Sequence, residues 1–216
     1  MARNWRSKAL AGLTVALATT ACGDRTPEQG IARGEALFDT CAPCHGSDGA
    51  GNQVLGAPAI AGLPQWYLEN QLHSFENNWR GANPFDTVGI RMKSMVLALD
   101  LEGDLESVAE FVASMAATDG DDYFEAGDVS AGQAAYNSSC IACHAADGTG
   151  VEIMNAPPLV GQSDWYMFGQ LRKFKSGWRG AHPDDVPGTM MVLSSGVANM
   201  DNAAMLNVVS YIETLR

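Results

Sequence analysis

Two five-residue stretches of this 216-residue chain carry residue types spaced for chemistry: Cys41-Ala42-Pro43-Cys44-His45 and Cys140-Ile141-Ala142-Cys143-His144. Each reads C-x-x-C-H, the attachment pattern of a c-type haem. Two thiols add across the vinyl groups of one macrocycle. The two-residue spacer sets the reach between the sulfurs. The next residue places an imidazole under the iron. The pattern also admits a zinc site or a redox dithiol. A single Cys₄ zinc site would join pairs 99 residues apart, far beyond finger or ribbon spacings. A thioredoxin-like motif lacks the trailing His and sits in a βαβ pattern, which this sequence does not show. Two covalent haems, attached through Cys41, Cys44, Cys140 and Cys143 with His45 and His144 as proximal ligands, are therefore expected.

The elements that must position these groups are doubled. At an offset of 99 residues Cys41 falls on Cys140, Pro58 on Pro157, Trp66-Tyr67 on Trp165-Tyr166, Trp79-Arg80-Gly81-Ala82 on Trp178-Arg179-Gly180-Ala181, and Pro84 on Pro183. Between Trp66 and Pro84, 10 of 19 positions are identical. Such self-similarity marks a tandem duplication. Each unit is small for an apolar core of its own, and a covalent haem would complete it.

The periodicity predicts an all-α chain. A first helix is expected over about 29–40 and again over about 130–139, each leading into a motif. Gly/Ala/Pro-rich loops follow over 46–62 and 145–161. A middle helix beginning near Pro64 carries Leu68, Leu72, Phe75 and Trp79 at helical spacing, and its copy carries Phe168, Leu171, Phe174 and Trp178. A final helix starts near Asp104 with Leu105, Val108, Ala109 and Val112 on one face. Its copy holds Leu206, Val209, Tyr211 and Ile212. These features divide the chain into a leader (1–21), an N-terminal domain (22–117), an acidic linker (118–129) and a C-terminal domain (130–216).

The sixth iron ligand is sought in a later loop, where methionine sulfur raises the potential of an electron carrier. Gly89-Ile90-Arg91-Met92 falls on Gly188-Thr189-Met190-Met191 at the offset of 99, after which two extra residues shift it to 101. This selects Met92 and Met191, with Met95 and Met190 next; methionine as core filler is the bland alternative. His73 and His182 are not repeated between the copies, so they are expected at the surface rather than as paired ligands. The carbonyls of Pro58 and Pro157 could accept the proximal imidazole N–H. Trp79, Arg80, Trp178 and Arg179 could bind haem propionates, which need donors or cations when buried.

At the N-terminus Arg3, Arg6 and Lys8 precede an apolar run from Ala9 to Ala18, the form of a secretory signal, too short for a spanning helix of ~20 residues. Cys22 is the one cysteine of five that the motifs do not use. It follows Ala18-Thr19-Thr20-Ala21 as in a bacterial lipobox, which would make it the lipidated first residue of an anchored periplasmic protein. The net charge of −12 argues against a nucleic-acid partner, which requires basic patches. Asp119, Asp121, Asp122, Glu125 and Asp128 concentrate acid in the linker. Arg172, Lys173, Lys175 and Arg179 gather on one predicted helix.

Together the paired motifs, the Pro58 and Pro157 loops ending at Gly62 and Gly161, the Trp66-Tyr67...Gln71-Leu72...Phe75 helix with its copy, and Met92-Lys93-Ser94-Met95 before Leu99 resemble the dihaem cytochromes c of the c4 type, from Gln29 to the C-terminus. The resemblance implies two tandem class I cytochrome c domains, each wrapped around one covalent haem with His/Met ligation and related by pseudo-twofold symmetry. It implies electron transfer in a respiratory chain, from a donor of the cytochrome bc1 type toward a haem-copper terminal oxidase. The lipid anchor and the two-residue insertion after Met191 depart from it. A haem enzyme of the peroxidase or thiosulfate-oxidising type would need one open iron. Both copies keep a candidate Met, which favours a carrier. A fixed subunit of a larger membrane complex is the other alternative.

Overall fold

A computed structural model describes residues 29–99 and 101–216. The leader and Cys22 lie outside the described residues. The described chain is helical, with no strand beyond the isolated bridges Asn52–Ala57 and Val151–Ala156 that pinch the two post-motif loops. None of the described helices is long and apolar enough to cross a membrane.

The first half contains α1 (Ile31–Phe38), the one-turn motif helix α2 (Ala42–His45), α3 (Gln65–Glu76), α4 (Thr87–Val96) and α5 (Asp104–Ser114). The second repeats them as α6 (Val129–Ser139), α7 (Ile141–His144), α8 (Asp164–Lys175), α9 (Val186–Ser194) and α10 (Asn202–Glu213). In each half the first helix packs on the last, α1 on α5 and α6 on α10. Glycine permits the close crossing. A Cβ on Gly34 would lie 2.0 Å from the Ser107 carbonyl oxygen, and one on Gly132 would lie 1.9 Å from that of Asn207. Buried Phe38, Leu68, Val108, Ala109 and Val112 form one core. Tyr136, Met167, Val208, Val209, Tyr211 and Ile212 form the other.

Three details differ from the sequence reading. The middle helices stop at Glu76 and Lys175 because Asn78 (φ 61°) and Gly177 (φ 68°) turn left-handed just beyond them. Trp79, Trp178 and Arg179 therefore lie off the helices on which periodicity placed them. The candidate methionines sit on short helices, not in open loops. Asp86 caps α4 by accepting from Gly89 N (2.9 Å), and Asp185 caps α9 from Gly188 N (3.0 Å); such caps satisfy first-turn N–H groups. The acidic linker is tied to the second half. Asp164 accepts from Tyr123 N and Phe124 N (2.8 and 2.6 Å), Gly120 N donates to the Gly161 carbonyl (2.9 Å), and the Arg216 guanidinium donates to the Gly120 carbonyl (3.1 Å).

Candidate haem site

Each motif closes a single helical turn: His45 N donates to Cys41 O (3.0 Å) and His144 N to Cys140 O (2.9 Å). This turn brings both cysteines and the histidine of a motif to one wall. His45 and His144 are each 7% exposed. The loop after each motif returns over its histidine at a left-handed glycine. Gly51 (φ 91°) and Gly150 (φ 80°) pass so near the following proline residues that a Cβ would lie 2.6 and 2.5 Å from the Pro58 and Pro157 carbonyl carbons. That closeness sets the Pro58 and Pro157 carbonyl oxygens 2.9 Å from Nδ1 of His45 and His144. A carbonyl only accepts, so Nδ1 carries the proton and Nε2 keeps its lone pair for a metal. Burial lowers both histidine pKa values, partly offset by the proline hydrogen bonds, which keeps the rings neutral as ligands must be.

Burial, then the neighbouring thiol, pushes Cys41 and Cys140 up to about 11. Among the described residues no group of three or more His, Cys, Asp or Glu is arranged to hold a metal ion. The donor set instead suits a macrocycle that brings its own equatorial nitrogens.

Both motifs line one continuous cavity of about 1040 Å³, at the top of the ~300–1,000 Å³ range of small-molecule sites. Its wall is largely apolar, with Leu68, Val108 and Val112 from the first half and Met167, Val209 and Ile212 from the second. Pro58, Pro157, Trp79, Arg80 and Arg179 line it too, whereas Trp178 does not. Met92, Met95, Met190 and Met191 all reach it. Met92 packs against the cluster of Phe75, Val96 and Leu105, and Met191 against Phe174, Val197 and Met205. Met95 and Met190 are 37% and 53% exposed. The other two histidines are half-exposed: His73 hydrogen-bonds Glu76 (3.0 Å), and His182 stacks on Trp79 across the halves (centroids 6.0 Å apart).

The halves also meet through polar side chains that line the cavity. Arg80 and Arg179 contact Gln71 and Gln170, and each faces the tyrosine of the opposite half, Tyr166 and Tyr67. Burial, then the facing Tyr166, pushes the Tyr67 hydroxyl up, so it stays protonated. The sequence reading did not single out these tyrosines and glutamines for a role, although their recurrence at the offset of 99 was the available signal. Two further links have no repeat partner: Gln162 Nε2 donates to the Ala59 carbonyl (3.1 Å), where Leu63 is its counterpart, and Lys173 pairs with Asp86 (2.8 Å), where Ser74 is its counterpart.

The sequence model of the cytochrome c family matches residues 31–116 and again 129–216. A thiosulfate dehydrogenase electron acceptor of Stutzerimonas stutzeri is 31% identical over 195 residues, covering 86% of this chain and 85% of that protein. The reduced cytochrome c4 of Pseudomonas stutzeri superposes with a TM-score of 0.65 at 25% identity, covering 88% of this chain and all (100%) of the other. A thiosulfate dehydrogenase of Marichromatium purpuratum superposes with a TM-score of 0.67 at 25% identity over 85% of this chain, which spans only 40% of that longer chain.

Proposed function

The chain belongs to the cytochrome c family, and from that premise we propose that it is a two-haem electron carrier, loaded by a dehydrogenase and discharged into a respiratory chain. Membership of the family implies covalently bound haem c, and likeness to cytochrome c4 supports electron transfer. The observation that carries the count of two is geometric. His45 and His144 hold the same 2.9 Å hydrogen bond to a proline carbonyl and line the same cavity. The bound group supplies a one-electron iron couple. The chain would hold that group through Cys41, Cys44, Cys140 and Cys143, with the His45 and His144 imidazoles and the Met92 and Met191 sulfurs as its candidate iron ligands; all of them line the cavity. An iron held by both a histidine and a methionine would have no position left for a substrate.

The cytochrome domains run over 22–117 and 130–216 in this reading, joined by the linker 118–129. The leader directs export, and a lipidated Cys22 tethers the protein at the periplasmic face of a membrane. The relative named as an electron acceptor of thiosulfate dehydrogenase supports such an enzyme as donor, in place of or beside a bc1-type complex. A haem-copper oxidase is the proposed acceptor.

The test is a reduction assay on the purified holoprotein. Thiosulfate with a thiosulfate dehydrogenase should reduce both haems, and thiosulfate alone should reduce neither. Reduction by thiosulfate alone would transfer to this chain the activity of the longer Marichromatium enzyme and overturn the carrier reading. A Cys22→Ser variant should move from the membrane to the soluble periplasmic fraction; if it stays membrane-bound, the anchor lies elsewhere.

A further inference from the structure

Arg80 and Arg179 each bond to both halves of the chain. Gln71 Oε1 accepts from Arg80 Nη1 (2.6 Å) of its own half and from Arg179 Nη2 (2.8 Å) of the other. Gln170 Oε1 accepts from Arg179 Nη1 (2.9 Å) and from Arg80 Nη2 (3.3 Å). Each guanidinium also lies over a phenylalanine ring of its own half, Phe75 at 4.3 Å and Phe174 at 4.5 Å. Its position is therefore fixed from both sides of the interface.

This arrangement leaves charge uncompensated. Arg80 is 9% exposed. Burial and the like charge of Arg80 hold Arg179 below the ordinary arginine range. Among the described residues no carboxylate forms an ion pair with either. Among the described residues their acceptors are neutral amide and phenol oxygens. Two cations sharing two amide oxygens in a largely apolar wall are costly unless anions complete the set. Each guanidinium has five N–H groups, more than the glutamines and tyrosines occupy. Both line the cavity that the two proximal histidines share.

We propose that Arg80 and Arg179 form one electrostatic element common to the two haems, so that each arginine helps set the reduction potential of the haem in the opposite half as well as its own. The inference rests on the two-haem carrier reading. Anionic haem carboxylates at the interface would complete the charge set. Because both cations are anchored to both halves, removing either charge disfavours the added electron at both irons. The repeated tyrosines complete the crossing: Tyr67 faces Arg179 and Tyr166 faces Arg80.

Spectroelectrochemical titration of the holoprotein tests this. In Arg80→Leu both one-electron waves should move to lower potential, each by a change of about tenfold in the reduction equilibrium, which is ~59 mV for a one-electron couple. Arg179→Leu should do the same, and Arg80→Lys should recover part of the shift. Gln170→Glu is nearly isosteric and adds a negative charge between the guanidiniums, so it should also lower both waves; it serves where a leucine variant does not fold. Movement of one wave alone, or of neither, overturns the inference. A wild-type holoprotein with fewer than two haem waves would instead overturn the two-haem reading beneath it.

Discussion

Lys173 Nζ lies 2.8 Å from Asp86 Oδ1, and the two side chains are 18% and 6% exposed. The pair joins α8 of the second half to the cap of α4 in the first, the helix that carries Met92. The equivalent of Lys173 in the first half is Ser74, so α9 and its cap Asp185 have no such link from the other side.

Lys173→Met leaves the Asp86 carboxylate buried without its cation. Breaking a buried pair from one side costs roughly 3–5 kcal/mol, and partial exposure of the lysine places this case at the low end. The loss should fall on the interface and on α4. Denaturant unfolding should show the destabilisation, and under the proposed two-haem reading the spectrum of the haem in the first half should change more than that of the second. Equal disturbance of both haems would show that Asp86 does not transmit the loss to α4.

The methionine assignment makes a spectral prediction. Met92→Ala and Met191→Ala should each remove about half of the sulfur-to-iron charge-transfer band of the oxidised protein, since each would supply one of two distal ligands. Met95→Ala and Met190→Ala should leave it. Loss of the band in Met95→Ala would place the ligand one helical turn further along α4 and break the repeat correspondence with Met191.

Much of this architecture is readable in the chain because it was written twice. The motifs, the apolar stripes of α3 and α5, and the spacing of 13 residues from each motif histidine to its proline stand out by repetition. What repetition hides is difference. Lys173–Asp86 and Gln162–Ala59 exist in one direction only, so a search for matching residues passes over them. Helix ends depend on local conformation that spacing does not show: Trp79 continues the apolar spacing of α3, but the left-handed Asn78 interrupts the helix first. Helices α4 and α9 carry little signal in the sequence because their caps, Asp86 and Asp185, precede weakly periodic segments. The arginines were visible as repeats, while their exchange between halves is a property of the packed interface.

Glu213 predicts a pH dependence. Burial, then a hydrogen bond with Asp122, raises its pKa from 4.5 to about 8, against the pull of Arg216; Asp164 adds negative charge on the same side. Arg216 lies 2.6 Å from Glu213 and also reaches Asp122 at 3.3 Å. The folded state thus holds a proton that the unfolded state releases near pH 4.5. Stability from this group is complete below that value and declines as pH rises toward about 8, by on the order of a few kcal/mol. The melting temperature should fall across this window, and proteolysis of the linker around Asp122 should quicken. Glu213→Gln should flatten both profiles. An unchanged slope in that variant would assign the dependence to other groups.

Gly132→Ala sets two opposing effects against each other. Alanine in a helix interior is favoured over glycine by ~0.8–1 kcal/mol, and Gly132 lies inside α6. The added Cβ, however, would stand 1.9 Å from the Asn207 carbonyl oxygen and 3.0 Å from Tyr211 Cβ. A carbonyl oxygen within α10 cannot rotate away as a side chain would, so the two helices must separate. Overpacking of this kind costs typically ~1–3 kcal/mol and occasionally more, which outweighs the propensity gain. The variant should be destabilised by about 2 kcal/mol, with the second half unfolding ahead of the first. Gly34→Ala, which would place Cβ 2.0 Å from the Ser107 carbonyl oxygen, should reverse that order. Stabilisation by either substitution would mean that the helix crossing can widen freely.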